Sequence, residues 1–256
     1  MVYLLLKISK KKDDYILYFD NELELRMNED VFTDYFFYVG KQFSQDEITE
    51  ISKRIERSKW YYYAYNLLLS KPYSSKNIYL KLINIKRLSS HEAMSIIDEL
   101  KEKNILNDKR YAVELVDELH NKKYGYERIV QKLGEDGIDG AIYQVAYDEE
   151  FELEKAKSHL PSLQRKFALL SLKKQKESLF NAYFRLGFKK DVINLVLSSI
   201  NQYDLLGEYD NLKRDFLKIT YRLSKEDIKT QKQKIIDKLL RKGYQYKDIA
   251  IVMEEE

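Results

Sequence analysis

From about residue 44 onward, apolar residues recur at helical spacing, and the recurrence itself repeats. Gly137-Ile138, Gly187-Phe188 and Gly243-Tyr244 each stand between two helical runs, and Arg87-Leu88 occupies the same place upstream. Four residues before these pivots lie Leu133, Tyr183, Leu239 and, for the first, Ile83. After them come Ala93, Ile96 and Ile97; Tyr143, Ala146 and Tyr147; Ile193, Val196 and Leu197; and Ile249, Val252 and Met253. That i, i+3, i+4 pattern is the buried stripe of a short helix. The apolar pivot residues at 88, 138, 188 and 244 are separated by steps of 50, 50 and 56. Such a period predicts a tandem array of helical units, each too small to bury its stripe alone.

Upstream of residue 44 the pattern is different. Val2–Ser9, Tyr15–Phe19 and the alternating Leu23, Leu25 and Met27 read as short strands, joined by turns at 10–14 and at Asp20-Asn21-Glu22. A hairpin is marginal alone, so a helix from about Glu29 to Tyr38, stopped by Gly40, is expected to pack on it. Ser44-Gln45-Asp46-Glu47 is a capping box that opens a helix to about Ser58, with a second from Trp60 to Leu69, ended by Pro72. Ser74-Ser75, Ser89-Ser90 with Glu92, and Asn107-Asp108 cap the next helices, with Asp108 the expected N-cap. Gly125 interrupts the chain, and Pro161 is expected to break or kink a long helix. Ser224 to Asp227 opens the helix that ends at Gly243, and Glu254-Glu255-Glu256 forms an acidic tail. The fold class is therefore all-α: tandem three-helix repeats in an elongated array, with a small N-terminal β element. The boundaries are 1–45 for the leader, 46–106 for repeat 1, 107–148 for repeat 2, 149–206 for repeat 3 and 207–256 for repeat 4.

Composition narrows the setting. The chain has 256 residues, 44% of them hydrophobic, and neither cysteine nor an apolar run of membrane-spanning length. These features predict a cytoplasmic protein with no disulfide or thiolate metal site and no membrane partner. Net charge is only +3, but it is unevenly spread. Residues 133–154 carry eight acids and no Lys or Arg, whereas residues 155–190 carry ten bases against Glu177 alone. Such polarity suits an anionic partner on one face and a basic one on another.

Little catalytic chemistry is visible. His91, His120 and His159 are scattered. Gly134-Glu135-Asp136-Gly137-Ile138-Asp139-Gly140 superficially suggests a phosphate or Ca²⁺ loop, but follows a helix and lacks the P-loop Lys-Ser/Thr. No cofactor or metal is expected, and an enzyme is the last reading. The positive signal is basic density mixed with aromatics. Lys155, Lys157, Arg165, Lys166, Lys173, Lys174, Lys176, Arg185, Lys189 and Lys190 are interspersed with Phe167, Phe180, Tyr183, Phe184 and Phe188. Basic side chains meet phosphates and exposed rings stack bases. The spacing of Tyr183 and Phe188 assigns those two rings to the repeat core instead. Arg222, Lys229, Lys232, Lys234, Lys238, Arg241 and Lys242 form a second, more mixed stretch.

The run Leu106-Asn107-Asp108-Lys109-Arg110-Tyr111-Ala112, followed by Lys122-Lys123-Tyr124-Gly125, Arg128-Ile129, Leu133 and Gly137-Ile138, resembles the central motif of the RecX family. The resemblance covers nearly the whole chain. One departure is Lys71-Pro72-Tyr73, where the family usually has an Arg-rich turn, so bidentate contact is weakened there. The resemblance implies a non-enzymatic, monomeric modulator of the RecA recombinase. It would lie in the groove of a RecA–single-stranded DNA filament and block filament growth, ATP turnover and strand exchange. Asp108 and Tyr111 read as a cap and a helix-packing residue. Lys109, Arg110, Lys122, Lys123 and Arg128 have no comparable structural demand and join Lys173, Lys174, Lys189 and Lys190 as partner or DNA contacts. The rival readings are a sequence-tolerant DNA-binding protein without a recombinase partner and a helical-repeat protein scaffold.

Overall fold

The computed structural model describes residues 2–140, 148–200, 207–221 and 223–255. Tyr143, Ala146, Tyr147, Arg222 and Glu256 lie outside these residues. The chain divides into two compact units, one of Met1–Val113 with Asp136–Ile138, the other of Glu114–Glu135 with Asp139–Glu256.

Unit one opens with β1 (Val2–Lys11), β2 (Asp14–Phe19), β3 (Glu24–Asn28) and β4 (Gln42–Ser44). They form an antiparallel sheet in the order β3-β2-β1-β4, with Leu5 opposite Phe19, Leu17 opposite Leu25 and Tyr3 opposite Phe43. Tyr3, Leu5, Leu17, Phe19, Met27 and Phe43 share a buried core with Val31, Ile48 and Ile51 from the helices that follow. Burying each such side chain contributes roughly 1.5–3 kcal/mol. The two predicted hairpins are present. The helix after β3, α1, is only Glu29–Thr33, capped by Asn28, and does not reach Tyr38. The chain beyond it returns Phe37 to the sheet core, and Gly40 (φ 92) turns into β4 instead of stopping a helix.

α2 (Gln45–Ser70) carries the Ser44–Glu47 capping box. It is one helix where the sequence suggested two, since neither Gly nor Pro falls between residues 45 and 70. Its first half covers the sheet, and its second half packs with α3 (Ser75–Lys86) and α4 (Ser90–Glu102) around Tyr61, Ala64, Ile78, Leu82, Ala93, Ile96 and Ile97. α5 (Asp108–Asn121) is crossed by the division between units, after Val113.

Unit two contains α6 (Tyr126–Glu135), α7 (Glu149–Phe167), α8 (Leu172–Leu186), α9 (Lys190–Ser198), α10 (Glu208–Thr220), α11 (Lys225–Thr230), α12 (Lys232–Arg241) and α13 (Tyr246–Glu255). Ala156, Tyr183, Phe188, Val192, Ile193 and Val196 form the core of α7–α9. Leu212, Phe216, Ile235, Ile236, Leu239, Tyr244, Ile249 and Val252 form that of α10–α13. Pro161 neither ends nor divides α7: it is exposed, as is Lys157, whose carbonyl loses its helical donor there. The run opened by Ser224 does divide, at Gln231, whose ψ of 13° leaves the helical range.

The pivots have a common backbone. Arg87, Gly137, Gly187 and Gly243 take φ of 57°, 77°, 85° and 97°, the left-handed turn that closes helix ends. Phe188 N–H donates to the Tyr183 carbonyl and Tyr244 N–H to that of Leu239, at 3.2 and 3.3 Å. At the first pivot Leu88 N–H reaches one residue further back, to Leu82 (3.3 Å). This shift explains why Leu82 is buried and the expected Ile83 is only half-buried.

Candidate functional site

One junction recurs in the helical part of the chain: the first turn of a helix packs on a left-handed pivot and is tied down by a carboxylate from a later helix. At the start of α3, Ser75 N–H and Oγ–H donate to the two oxygens of Asp108, at 2.7 and 2.6 Å. Lys76 lies against Gly137. At the start of α6, Tyr126 N–H donates to Glu152 (3.0 Å), and Arg128 lies against Gly187. At the start of α8, Leu172 N–H donates to Glu208 (2.7 Å), and Lys173 lies against Gly243. Helix-start N–H groups lack intrahelical acceptors, and a carboxylate there is favoured by the helix dipole as well. Each junction therefore places a basic residue beside a turn.

The motif residues Asn107, Asp108 and Tyr111 build this junction. Asn107, not Asp108, caps α5, its Oδ1 accepting from Lys109 N–H and Arg110 N–H at 3.0 and 3.1 Å. Asp108 is instead the acceptor for Ser75, with Lys101 at 3.2 Å. Burial pushes its carboxyl up, but the Ser75 hydrogen bonds and Lys101 outweigh this and hold it below the ordinary value. Tyr111 O–H donates to the buried Asp136 (2.7 Å), which also accepts from Asn77 Nδ2 (3.1 Å). The Gly134–Gly140 segment is thus a structural turn whose central acid is already occupied. Among the described residues, no group of three or more His, Cys, Asp or Glu could hold a metal ion.

The candidate contact residues are distributed over this frame. Lys109 and Arg110 belong to unit one, exposed on the first turn of α5. Cations at a helix N-terminus oppose the dipole, so helix stability does not account for them. The remaining candidates belong to unit two. Lys122 is exposed and paired with Glu118. Lys123 is a left-handed residue (φ 57) whose carbonyl lies 2.9 Å from His159 Nε2. Arg128 and Lys189 come together at the Gly187 junction, where Gly125 N–H and Glu127 N–H donate to the Leu186 and Gly187 carbonyls, at 2.9 and 2.8 Å. There Lys189 Nζ stands 4.1 Å from the Tyr126 ring centre. Lys190 is exposed at the start of α9. Lys173 is exposed at the Gly243 junction, and its neighbour Lys174 pairs with Glu177 at 2.6 Å.

Lys155 departs from the sequence reading. It is 5% exposed, paired with the still more buried Glu152, donates to the Tyr124 carbonyl (2.9 Å) and lies 3.1 Å from His120 Nδ1. It cannot face a phosphate from there. Burial first, and the Lys155 charge second, lower the His120 pKa. Glu208 is not singled out in the sequence, and Asp136 and Glu152 stand out there only as members of a Gly-rich loop and of an acidic run. Their only local signal is a carboxylate near a helix boundary, which is common on helical surfaces.

No family model matches the sequence. The chain is 30% identical over 257 residues to the "Regulatory protein RecX" of Streptococcus agalactiae serotype V, covering 97% of this chain and 98% of the relative. It is 26% identical over 245 residues to the protein of the same description from Lactococcus lactis subsp. lactis, covering 93% and 91%. A crystal structure described as regulatory protein RecX shares the fold, with a TM-score of 0.64 at 20% identity over 77% of this chain and 100% of the other. Full-length similarity of this kind, with the junction built from the Leu106–Ala112 motif, places the chain in the RecX family of regulatory proteins.

Proposed function

We propose that the protein binds RecA–single-stranded DNA filaments and inhibits filament growth, ATP turnover and strand exchange, without catalysing a reaction of its own. The observation that carries this reading is membership of a family of regulatory proteins across the full chain. The exposed basic residues at the junctions, Lys109, Arg110, Arg128, Lys173 and Lys190, support it, because none of them has an ion-pair partner among the described residues. The repeat boundaries read from the sequence form part of the same proposal, with repeats 1, 2 and 3 each supplying the tied helix start of one junction. No described helix is long and apolar enough to cross a membrane.

The test is RecA's DNA-dependent ATP hydrolysis with the purified protein added at substoichiometric to stoichiometric ratios. Hydrolysis should slow, and the protein alone should turn over no nucleotide. Unchanged RecA activity at excess protein would sink the proposal, as would intrinsic turnover that survives further purification.

A further inference from the structure

Three of the pivots carry glycine in the left-handed region, but the first carries Arg87, at φ 57. That conformation disfavours any residue with a Cβ. A non-glycine residue found there points to function when nothing structural requires its side chain. Arg87 is exposed and has no ion-pair partner among the described residues. It lines a groove of about 630 Å³ within unit one, together with Lys53, Trp60 and Lys86, over the buried Ile96.

Trp60 is half-buried, with Lys59 Nζ 5.1 Å and Lys86 Nζ 5.3 Å from its ring centre, and Lys86 also stands 4.2 Å from the Tyr63 ring. None of Lys53, Lys59 and Lys86 has an ion-pair partner among the described residues. Other charges in the groove are engaged: Arg57 pairs with Glu99 at 2.7 Å, and Glu92 closes the capping box with Ser89. This leaves Lys53, Lys86 and Arg87 as lining cations without an ion-pair partner among the described residues, beside the acid Glu56, with Lys86 resting on the indole.

We propose that this groove binds single-stranded nucleic acid, with a base stacked on Trp60 and the flanking phosphates held by Lys53, Lys86 and Arg87. An ammonium over a ring face occupies the place a base would take. A bound nucleotide replaces that contact with base–ring stacking and frees the ammonium for a phosphate. An acidic peptide would use the cations but not the ring, and a duplex keeps its bases stacked inside. The inference deepens the function proposed above and rests on it for the strand that reaches the groove. Its test omits RecA, so the two readings fail separately.

The chain has a single tryptophan, so emission from the full-length protein reports on the groove directly. An oligothymidylate of about twenty nucleotides should quench Trp60 saturably, and less strongly as salt rises. Inorganic polyphosphate, a polyanion without bases, should leave the emission unchanged. Lys86→Glu with Arg87→Glu should weaken oligothymidylate binding roughly tenfold or more. Arg87→Gly removes the side chain and relieves the backbone, so it should weaken binding while the melting temperature holds or rises. A labelled oligothymidylate that fails to bind, or binds with Trp60 emission unchanged, would overturn the proposal. Equal quenching by polyphosphate, or wild-type affinity in folded Arg87→Gly, would do the same.

Discussion

Asp108 and Glu208 accept from equivalent N–H groups, yet their surroundings give them opposite titration behaviour. Asp108 is held below its ordinary value of 3.8 because the Ser75 hydrogen bonds and Lys101 outweigh burial. A depressed carboxyl stabilises the fold above its unfolded pKa, and that contribution is lost as pH falls through the folded value. Asp108→Ala should therefore cost about 1–3 kcal/mol at neutral pH, by removing the acceptor of a helix-start N–H. Denaturant midpoints should show the gap from wild type closing once the pH drops below 3.8. Burial raises Glu208 above 4.5, and nearby Asp248 adds to the effect. The sign is then reversed: ionisation of the buried carboxyl costs stability as pH rises through the raised value, and nothing is lost below the ordinary one. Glu208→Gln, which keeps an acceptor for Leu172 N–H, should be neutral or stabilising at pH 7 and match wild type in acid. A neutral-pH loss as large as that of Asp108→Ala would refute this assignment. Such roles were hard to read from sequence. Asn107 and Asp108 are both good caps and only one residue apart, so local chemistry does not choose between them. Lys155 reads as solvated from sequence because Lys and Glu are almost never buried unless paired. Its pairing with Glu152 depends on packing against Tyr124 and His120, more than thirty residues away.

Among the elements, the pivots were legible because a left-handed helix end strongly favours glycine, and apolar residues at fixed offsets mark what packs around it. Gly187 makes the clearest case. A Cβ there would lie 2.3 Å from Arg128 Cβ and 2.4 Å from its backbone N, at φ 85. Gly125 faces it, and a Cβ on Gly125 would fall 2.4 Å from the Gly187 carbonyl carbon. Gly187→Ala and Gly125→Ala should each destabilise unit two by more than about 2 kcal/mol, through backbone collision. Phe188, 1% exposed and edge-on to Tyr183, should cost about 3–5 kcal/mol as alanine and more as aspartate. Burial pushes the Tyr183 hydroxyl pKa up to about 12. Lys190→Ala is the proper neutral comparison, since Lys189 stands over the Tyr126 ring. Equal melting temperatures for Phe188→Asp and Lys190→Ala would mean that the repeat phase is wrong. Elements set by long-range packing were less legible. β4 has three residues, too few to show a two-residue period, and pairs with β1 across some forty positions of sequence. α1 ends early because Phe37 is drawn back to the sheet, which local helix propensity does not reveal.

For the whole molecule, a net charge of +3 conceals the segregation of acids and bases along the chain, and the structure changes which of those charges are free to meet a partner. In the basic segment Lys155 is buried, Lys174 is paired with Glu177 and Lys189 covers a ring, which leaves Lys173 and Lys190 as exposed positions for a direct test. In the acidic segment Glu152 ties down the start of α6 and neutralises Lys155, whereas Glu149 and Glu150 are exposed on the first turn of α7 and serve as the surface control. Each phosphate contact on a single strand contributes about 0.7 to the slope of log K against log salt. If both lysines meet phosphate, Lys173→Glu with Lys190→Glu should reduce that slope by about 1.4 and weaken binding throughout the salt range. The fold should survive, because exposed lysines contribute little to stability. Glu149→Gln with Glu150→Gln should leave the slope unchanged, since those side chains repel a strand instead of releasing its counterions. The measurement is anisotropy of a labelled single strand at several salt concentrations, with circular dichroism to establish that both variants fold. A wild-type slope in the folded lysine variant would remove this segment from the DNA contact and leave its charge as solvated surface.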